Sequence, residues 1–247
     1  MQVRYFKEYS ANLDRDMEFK MYGHAGVLCL VIPCQDGRFF EWEDRKMFDL
    51  VSGLVDAGRI QFVTVDSVDA ETWSSYGSTE PRMHRLEAWN RYVMDELIPS
   101  ALWKAGKPQD EQMMVMGASM GAYHAVNLFC RYPHRFSRLL ALSGLYDMSR
   151  YIYDGNYTHE FHINNPLAYL EELAPDNGCI GRYNASDARI VIGQGAWENE
   201  CLEDTRKLAD LFWRKGIGID TCFWGYDTPH DWPSWERQLQ EYLPRMV

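Results

Sequence analysis

A single α/β domain, built on a mostly parallel, doubly wound sheet with helices on both faces, is the fold this chain predicts. Three observations carry that expectation. Short apolar runs bounded by turn residues alternate along the chain with longer stretches whose apolar positions recur at helical spacing. One run, Val27-Leu28-Cys29-Leu30-Val31-Ile32, is apolar throughout, which suits a central parallel strand covered on both faces. Another, Met113-Met114-Val115-Met116, leads straight into Gly117-Ala118-Ser119-Met120-Gly121, a serine framed by small residues at a strand-to-helix turn. At 247 residues the chain can bury one sizeable core, and no repeat, low-complexity tract or Pro/Ser-rich linker divides it.

Taken in order, residues 3–9 read as an edge strand, and Met17-Glu18-Phe19-Lys20-Met21 alternates with period two, as a half-buried antiparallel strand does. After the central run at 27–32, Met47, Leu50, Val51, Leu54 and Val55 recur at helical spacing. Ile60 to Val65 is a further buried strand, and Met83, Leu86, Trp89, Val93 and Leu97 mark a second amphipathic helix. Beyond the serine turn, Ala122 to Phe129 reads as a helix, and Leu139–Ser143 and Arg189–Ile192 as two short strands. Thr205–Trp213 is helical, Ile219–Trp224 a strand and Trp235–Leu243 a closing helix. The stretch at about 144–187 has no clear strand but carries Tyr146, Tyr151, Tyr153, Tyr157, Phe161 and Tyr169. Placed above the carboxyl ends of the strands, it is expected to form a small aromatic cap that shapes a ligand pocket.

Bulk properties narrow the function. A net charge of −11 argues against nucleic acid and anionic membranes as partners, since both require a basic patch. No apolar run approaches membrane-spanning length, and the first residues, Met1 to Glu8, lack the apolar core of a secretory signal. The six cysteines show no C-x-x-C spacing, which points to reduced thiols and a cytoplasmic location. Aromatic residues make up 14% of the chain, enough to supply a self-association patch, so a homo-oligomer is compatible with the composition.

The chemistry is expected at the serine. The turn G-x-S-x-G is so tight that the residues two before and two after the serine must lack a β-carbon, which gives the spacing its meaning. A serine hydroxyl is a weak nucleophile and needs a neighbouring histidine, itself oriented by a carboxylate. With this kind of turn the chain order is Ser, acid, His. Of seven histidines, His230 alone follows the last strand and precedes the final helix. His24, His124 and His134 lie on turns or on the helix after the serine, and His159 with His162 forms an H-x-x-H pair with no third ligand, so no metal site is expected. The acid should follow the strand Arg189–Ile192. Glu198 is the first choice and Glu200 the alternative, with Asp147 behind them. Asn199 as N-cap of the next helix would put Glu200 in the first turn, where the helix dipole favours a carboxylate for structural reasons. The oxyanion needs preorganised N–H donors. One is expected from Met120, the other from Cys34 or Gln35 in the loop after the central strand, Pro33 having no N–H.

Several segments together resemble the putative-esterase family of α/β-hydrolases, which includes S-formylglutathione hydrolases, feruloyl and acetylxylan esterases, enterochelin esterases and mycolyltransferases. They are Gly117 to Ala125, Arg131-Tyr132-Pro133-His134-Arg135-Phe136, Leu142-Ser143-Gly144 and His230-Asp231-Trp232-Pro233-Ser234-Trp235. The resemblance spans nearly the whole chain and implies an α/β-hydrolase fold and a serine hydrolase working through an acyl-enzyme, with Ser119 as nucleophile and His230 as base. It implies no cofactor or metal, and a small-molecule ester as partner. Two departures from the family pattern are Pro33-Cys34-Gln35, where many relatives carry His-Gly, and Trp197-Glu198, where many carry Gly-x-x-Asp. The expected activity is hydrolysis of small acyl or aryl carboxylic esters. The alternatives are acyl transfer by the same three residues and a non-catalytic binding module on the same fold.

Overall fold

The computed structural model describes residues 1–247. Strands β1 (Val3–Ser10) and β2 (Arg15–Tyr22) form an antiparallel hairpin, and β3 (Val27–Ile32) follows. Two short helices, α1 (Glu41–Asp44) and α2 (Ser52–Asp56), lead to β4 (Ile60–Thr64). Helices α3 (Thr79–Arg91) and α4 (Ile98–Lys104) precede β5 (Met113–Ala118), which runs into α5 (Met120–Arg131) and β6 (Phe136–Leu142). Then come α6 (His159–His162), α7 (Pro166–Glu171), α8 (Gly178–Asn184) and β7 (Asp187–Ile192). The chain closes with α9 (Asn199–Lys215), β8 (Asp220–Phe223) and α10 (Trp232–Met246).

The sheet order is β1-β2-β4-β3-β5-β6-β7-β8. β2 joins β4 antiparallel, and every pairing from β4 across to β8 is parallel. This is the expected α/β-hydrolase arrangement, with the antiparallel hairpin at one edge. The continuous apolar runs have a direct cause. On β3, Leu28, Leu30 and Ile32 point into one core while Cys29 and Val31 point into the other. Helices α3, α5 and α9 pack on the first face, and α2 and α10 on the second. Fully burying one such aliphatic side chain contributes about 1.5–3 kcal/mol.

Two local expectations differ from the structure. Met47, Val51 and Val55 are buried as their spacing predicts, yet they do not share one helix. Lys46 takes a positive φ of 58°, and a 3-10 turn at Asp49–Val51 separates α1 from α2. The second helix is longer than its apolar stripe: α3 and α4 are joined through a wider π turn at Tyr92–Leu97. Pro99 explains the wide turn, because it has no N–H to offer the carbonyl four residues back.

The stretch from 144 contains no strand until β7 begins at Asp187. Most of its aromatic residues pack downward rather than over a ligand site. Tyr146 and Phe161 are fully buried in the larger core, with Tyr151 and Tyr169 packed against it. Asn164 anchors the stretch to α3 and α5: it meets Glu87 and Asn90 on α3 and Asn127 and Arg131 on α5.

Candidate active site

Five loops gather at the carboxyl ends of the parallel strands, the usual place for a ligand in an open α/β sheet. At the end of β5 the backbone turns back on itself. Ser119 has φ 56° and ψ −125°, a conformation costing about 1–3 kcal/mol for a non-glycine residue. Its N–H is held by the Leu142 carbonyl at 2.8 Å. A β-carbon on Gly117 would sit 2.3 Å from the Gly121 carbonyl oxygen, and one on Gly121 would sit 2.4 Å from that of Pro33. Only this residue pattern lets the serine stand clear of the sheet.

His230 comes from the loop between β8 and α10. Its backbone N–H donates to the Ala196 carbonyl at 2.9 Å, and its ring packs edge-on against Trp235, centroids 5.0 Å apart. The histidine loop and the loop after β7 lie backbone against backbone, so close that a β-carbon on Gly193 would be 2.1 Å from the Thr228 carbonyl oxygen. Nε2 of His230 is 2.9 Å from Ser119 Oγ, and Nδ1 is 2.9 Å from Glu198 Oε2. The Glu198 carboxylate only accepts, so Nδ1 carries the proton and Nε2 presents a lone pair to the serine hydroxyl.

Glu198 is fully buried. Its second oxygen, Oε1, accepts from Ser143 Oγ at 2.5 Å, and Ser143 Oγ accepts in turn from Trp235 Nε1 at 3.1 Å. Ser143 and Trp235 thus hold the carboxylate from behind. Chain order and spacing predict no role for either; their signal is that both lie in the family-like segments Leu142-Ser143-Gly144 and His230 to Trp235.

Of the other carboxylates considered, Glu200 has its side chain 74% exposed and pairs with Arg150 at 3.5 Å. Asp147 accepts from the Ser149 N–H and caps the short turn at Met148–Tyr151. Neither touches His230. The capping expectation needs correction. Asn199 is the first residue of α9, not its cap, because the Glu198 carbonyl already accepts from the Leu202 N–H at 2.7 Å. Glu198 occupies the cap position but makes no side-chain cap bond. Its carboxylate is drawn inward by Ser143 and His230.

The two expected donors after β3 also separate. The Cys34 N–H is committed to the Glu41 carboxylate at 2.8 Å, so it is not free for a ligand. Burial raises the Glu41 carboxyl against the opposing pull of that bond. Gln35 lies beside Ser119 in the same pocket, and its backbone N–H makes no hydrogen bond within the protein. Met120 opens α5, where the first N–H groups have no intrahelical partner.

Above Ser119 and His230 lies an open cavity of about 420 Å³, walled by Leu145, Tyr151, Trp197 and Cys201. From the aromatic stretch only Leu145 and Tyr151 reach it. Trp197 is 87% exposed and has a positive φ of 68°, two unfavourable features at one residue beside the buried acid. His159 and His162 do not converge on a ligand: His162 meets Glu172 and Tyr157.

The family described as "Putative esterase" matches this chain over residues 10–246. The chain belongs to the putative esterase family. No protein of curated function matches it by sequence. Among solved structures it is similar to a ferulic acid esterase, with 17% identity, a TM-score of 0.75 and coverage of 99% of this chain and 97% of that one. It is also similar to an S-formylglutathione hydrolase from Staphylococcus aureus, with 10% identity, a TM-score of 0.71 and coverage of 99% and 96%. An enterobactin esterase from Shigella flexneri aligns with 15% identity and a TM-score of 0.66, over 100% of this chain and 59% of that one. At these identities the likeness shows the fold. Membership of the esterase family supports ester hydrolysis as the chemistry. No helix is long and apolar enough to cross a membrane.

Proposed function

We propose that this protein is a serine carboxylic-ester hydrolase acting on small acyl or aryl esters through an acyl-enzyme. One observation carries the reading: Ser119, His230 and the buried Glu198 form a continuous hydrogen-bonded chain with both links at 2.9 Å. In this mechanism His230 Nε2 takes the Ser119 proton as Oγ attacks the ester carbonyl. Glu198 stabilises the resulting imidazolium. The backbone N–H groups of Met120 and Gln35 hold the oxyanion, each such donor being worth about 2.7–4 kcal/mol in the transition state. His230 then protonates the leaving alcohol, and water repeats the cycle on the acyl-serine.

The substrate reading rests on the cavity. Its size admits a small acyl or single-ring group, and the side chains of Leu145, Tyr151 and Trp197 offer it apolar and aromatic contact. The stretch at 144–187 acts here as a side wall. The six cysteines are all unpaired, which supports the cytoplasmic assignment. The test is hydrolysis of p-nitrophenyl acetate and butyrate by the wild type and by Ser119→Ala, each checked by thermal melting. Turnover and labelling by a fluorophosphonate should both vanish in a folded Ser119→Ala protein. Turnover retained by that variant would remove Ser119 from the mechanism.

A further inference from the structure

Nδ1 of His230 has a second neighbour. Cys201, one turn into α9 and three residues beyond Glu198, places Sγ 3.9 Å from that nitrogen. The carboxylate of Glu198, the thiol of Cys201 and the imidazole of His230 offer three donor atoms that all lie within 4.8 Å of one another. Nothing in the proposed mechanism uses the thiol.

We propose that these three side chains form an inhibitory site for Zn²⁺. The spacing suits the ion. With bonds of about 2.3 Å to sulfur and 2.0–2.1 Å to nitrogen, a tetrahedral centre holds S and N about 3.6 Å apart and N and O about 3.4 Å apart. The separations here are 3.9 Å for Sγ to Nδ1 and 2.9 Å for Nδ1 to Oε2, so the first pair must close and the second open by a few tenths of an ångström, and the sulfur and carboxylate oxygen lie within 4.8 Å of each other. Thiolate, imidazole and carboxylate together select zinc over magnesium or calcium. Both Cys201 and His230 line the cavity, which gives the ion a way in.

The protons balance without any redox step. Zn–Sγ, Zn–Nδ1 and Zn–Oε2 bonds form. The Cys201 thiol proton leaves to solvent, and the Nδ1 proton of His230 moves to Nε2. Three ligands with two negative charges then neutralise the ion. The consequence lies on the other side of the ring: Nε2, now protonated, donates to Ser119 Oγ and no longer accepts from it. Inhibition rests on the ester-hydrolase reading above; binding of the ion does not.

The experiment uses chelator-treated full-length wild type, Ser119→Ala, Cys201→Ser and Cys201→Ala, with zinc and cobalt(II) chlorides as probes. Equilibrium dialysis should find one zinc per chain in the wild type and in Ser119→Ala. Both Cys201 variants should bind it more weakly, by at least the order of 10–100-fold that losing even an outer partner of a metal ligand costs. Cobalt should give the wild type a thiolate-to-metal charge-transfer band, a readout that stands even if a Cys201 variant misfolds. Zinc should stop wild-type p-nitrophenyl acetate turnover, a chelator should restore it, and each Cys201 variant, compared with its own zinc-free rate, should resist. Equal zinc binding by wild type and folded Cys201 variants, or no thiolate band, would overturn the site. Zinc bound through Cys201 without loss of turnover would overturn its inhibitory role. Cys201-dependent zinc binding in a protein that hydrolyses no ester would support the site and count against the esterase reading alone.

Discussion

Replacing Glu198 by glutamine changes one atom of a buried carboxylate, and the structure dictates which way the new amide faces. The oxygen nearer Ser143 accepts that hydroxyl's proton at 2.5 Å, while Ser143 Oγ is already accepting from Trp235 Nε1. Keeping the amide oxygen on that side preserves both bonds, each neutral hydrogen bond being worth about 0.5–1.5 kcal/mol. The amide NH₂ is then left facing Nδ1 of His230, 2.9 Å away in the wild type. Nδ1 must accept, so its proton moves to Nε2, and the base facing Ser119 is lost. In serine-protease triads the equivalent change of carboxylate to amide costs on the order of 10⁴ in kcat, or about 5.4 kcal/mol. Glu198→Gln should lose turnover on that scale while KM changes little, because the amide never reaches the substrate. The control is Glu200→Gln, whose exposed side chain predicts a stability change within about 0.5 kcal/mol and near-normal rates. Both are read from p-nitrophenyl acetate kinetics beside a thermal melt. A folded Glu198→Gln enzyme within tenfold of wild type, or equal losses in the two variants, would refute the assignment of the acid.

Trp197→Ala should raise KM for p-nitrophenyl benzoate more than for p-nitrophenyl acetate with kcat largely kept, since the ring touches the cavity but no reacting atom; a fall confined to kcat would remove it from substrate binding. Glu87 gives a pH prediction. Burial pushes its carboxyl up, but bonds to Arg131, Asn164 and Asn90 outweigh that and hold it below its ordinary value of 4.5. The sign follows: this stabilisation is fully present above pH 4.5 and is lost as the pH falls through the lower folded value. Urea unfolding across that acid range should therefore show a steeper loss for wild type than for Glu87→Gln; identical slopes would show that the network around Asn164 contributes nothing to acid stability.

What the sequence determined by itself is what local sterics and chain order control. Gly117 and Gly121 permit the turn at Ser119 because no β-carbon fits there, a requirement written within five residues. The continuous apolar strands announce a parallel sheet, since both faces of β3 and β5 are covered. The place of His230, after the last strand, follows from the order of elements. Tertiary structure decided everything that depends on which atoms meet across long separations. Cys34 and Gln35 look equivalent along the chain, yet only Cys34 has its N–H taken by Glu41. Glu198 and Glu200 differ by two residues, and the helix start that separates them lay one residue from where capping preference placed it. The side chains behind the acid, Ser143 just after β6 and Trp235 on α10, leave no periodic trace. The aromatic stretch at 144–187 shows the same limit: composition reveals its rings, but packing against α3 and α5 turns most of them into the core and leaves Tyr151 at the cavity. Sequence patterns record the constraints that backbone and burial impose locally; the meeting of side chains 55 residues apart is set by the packing of the whole sheet.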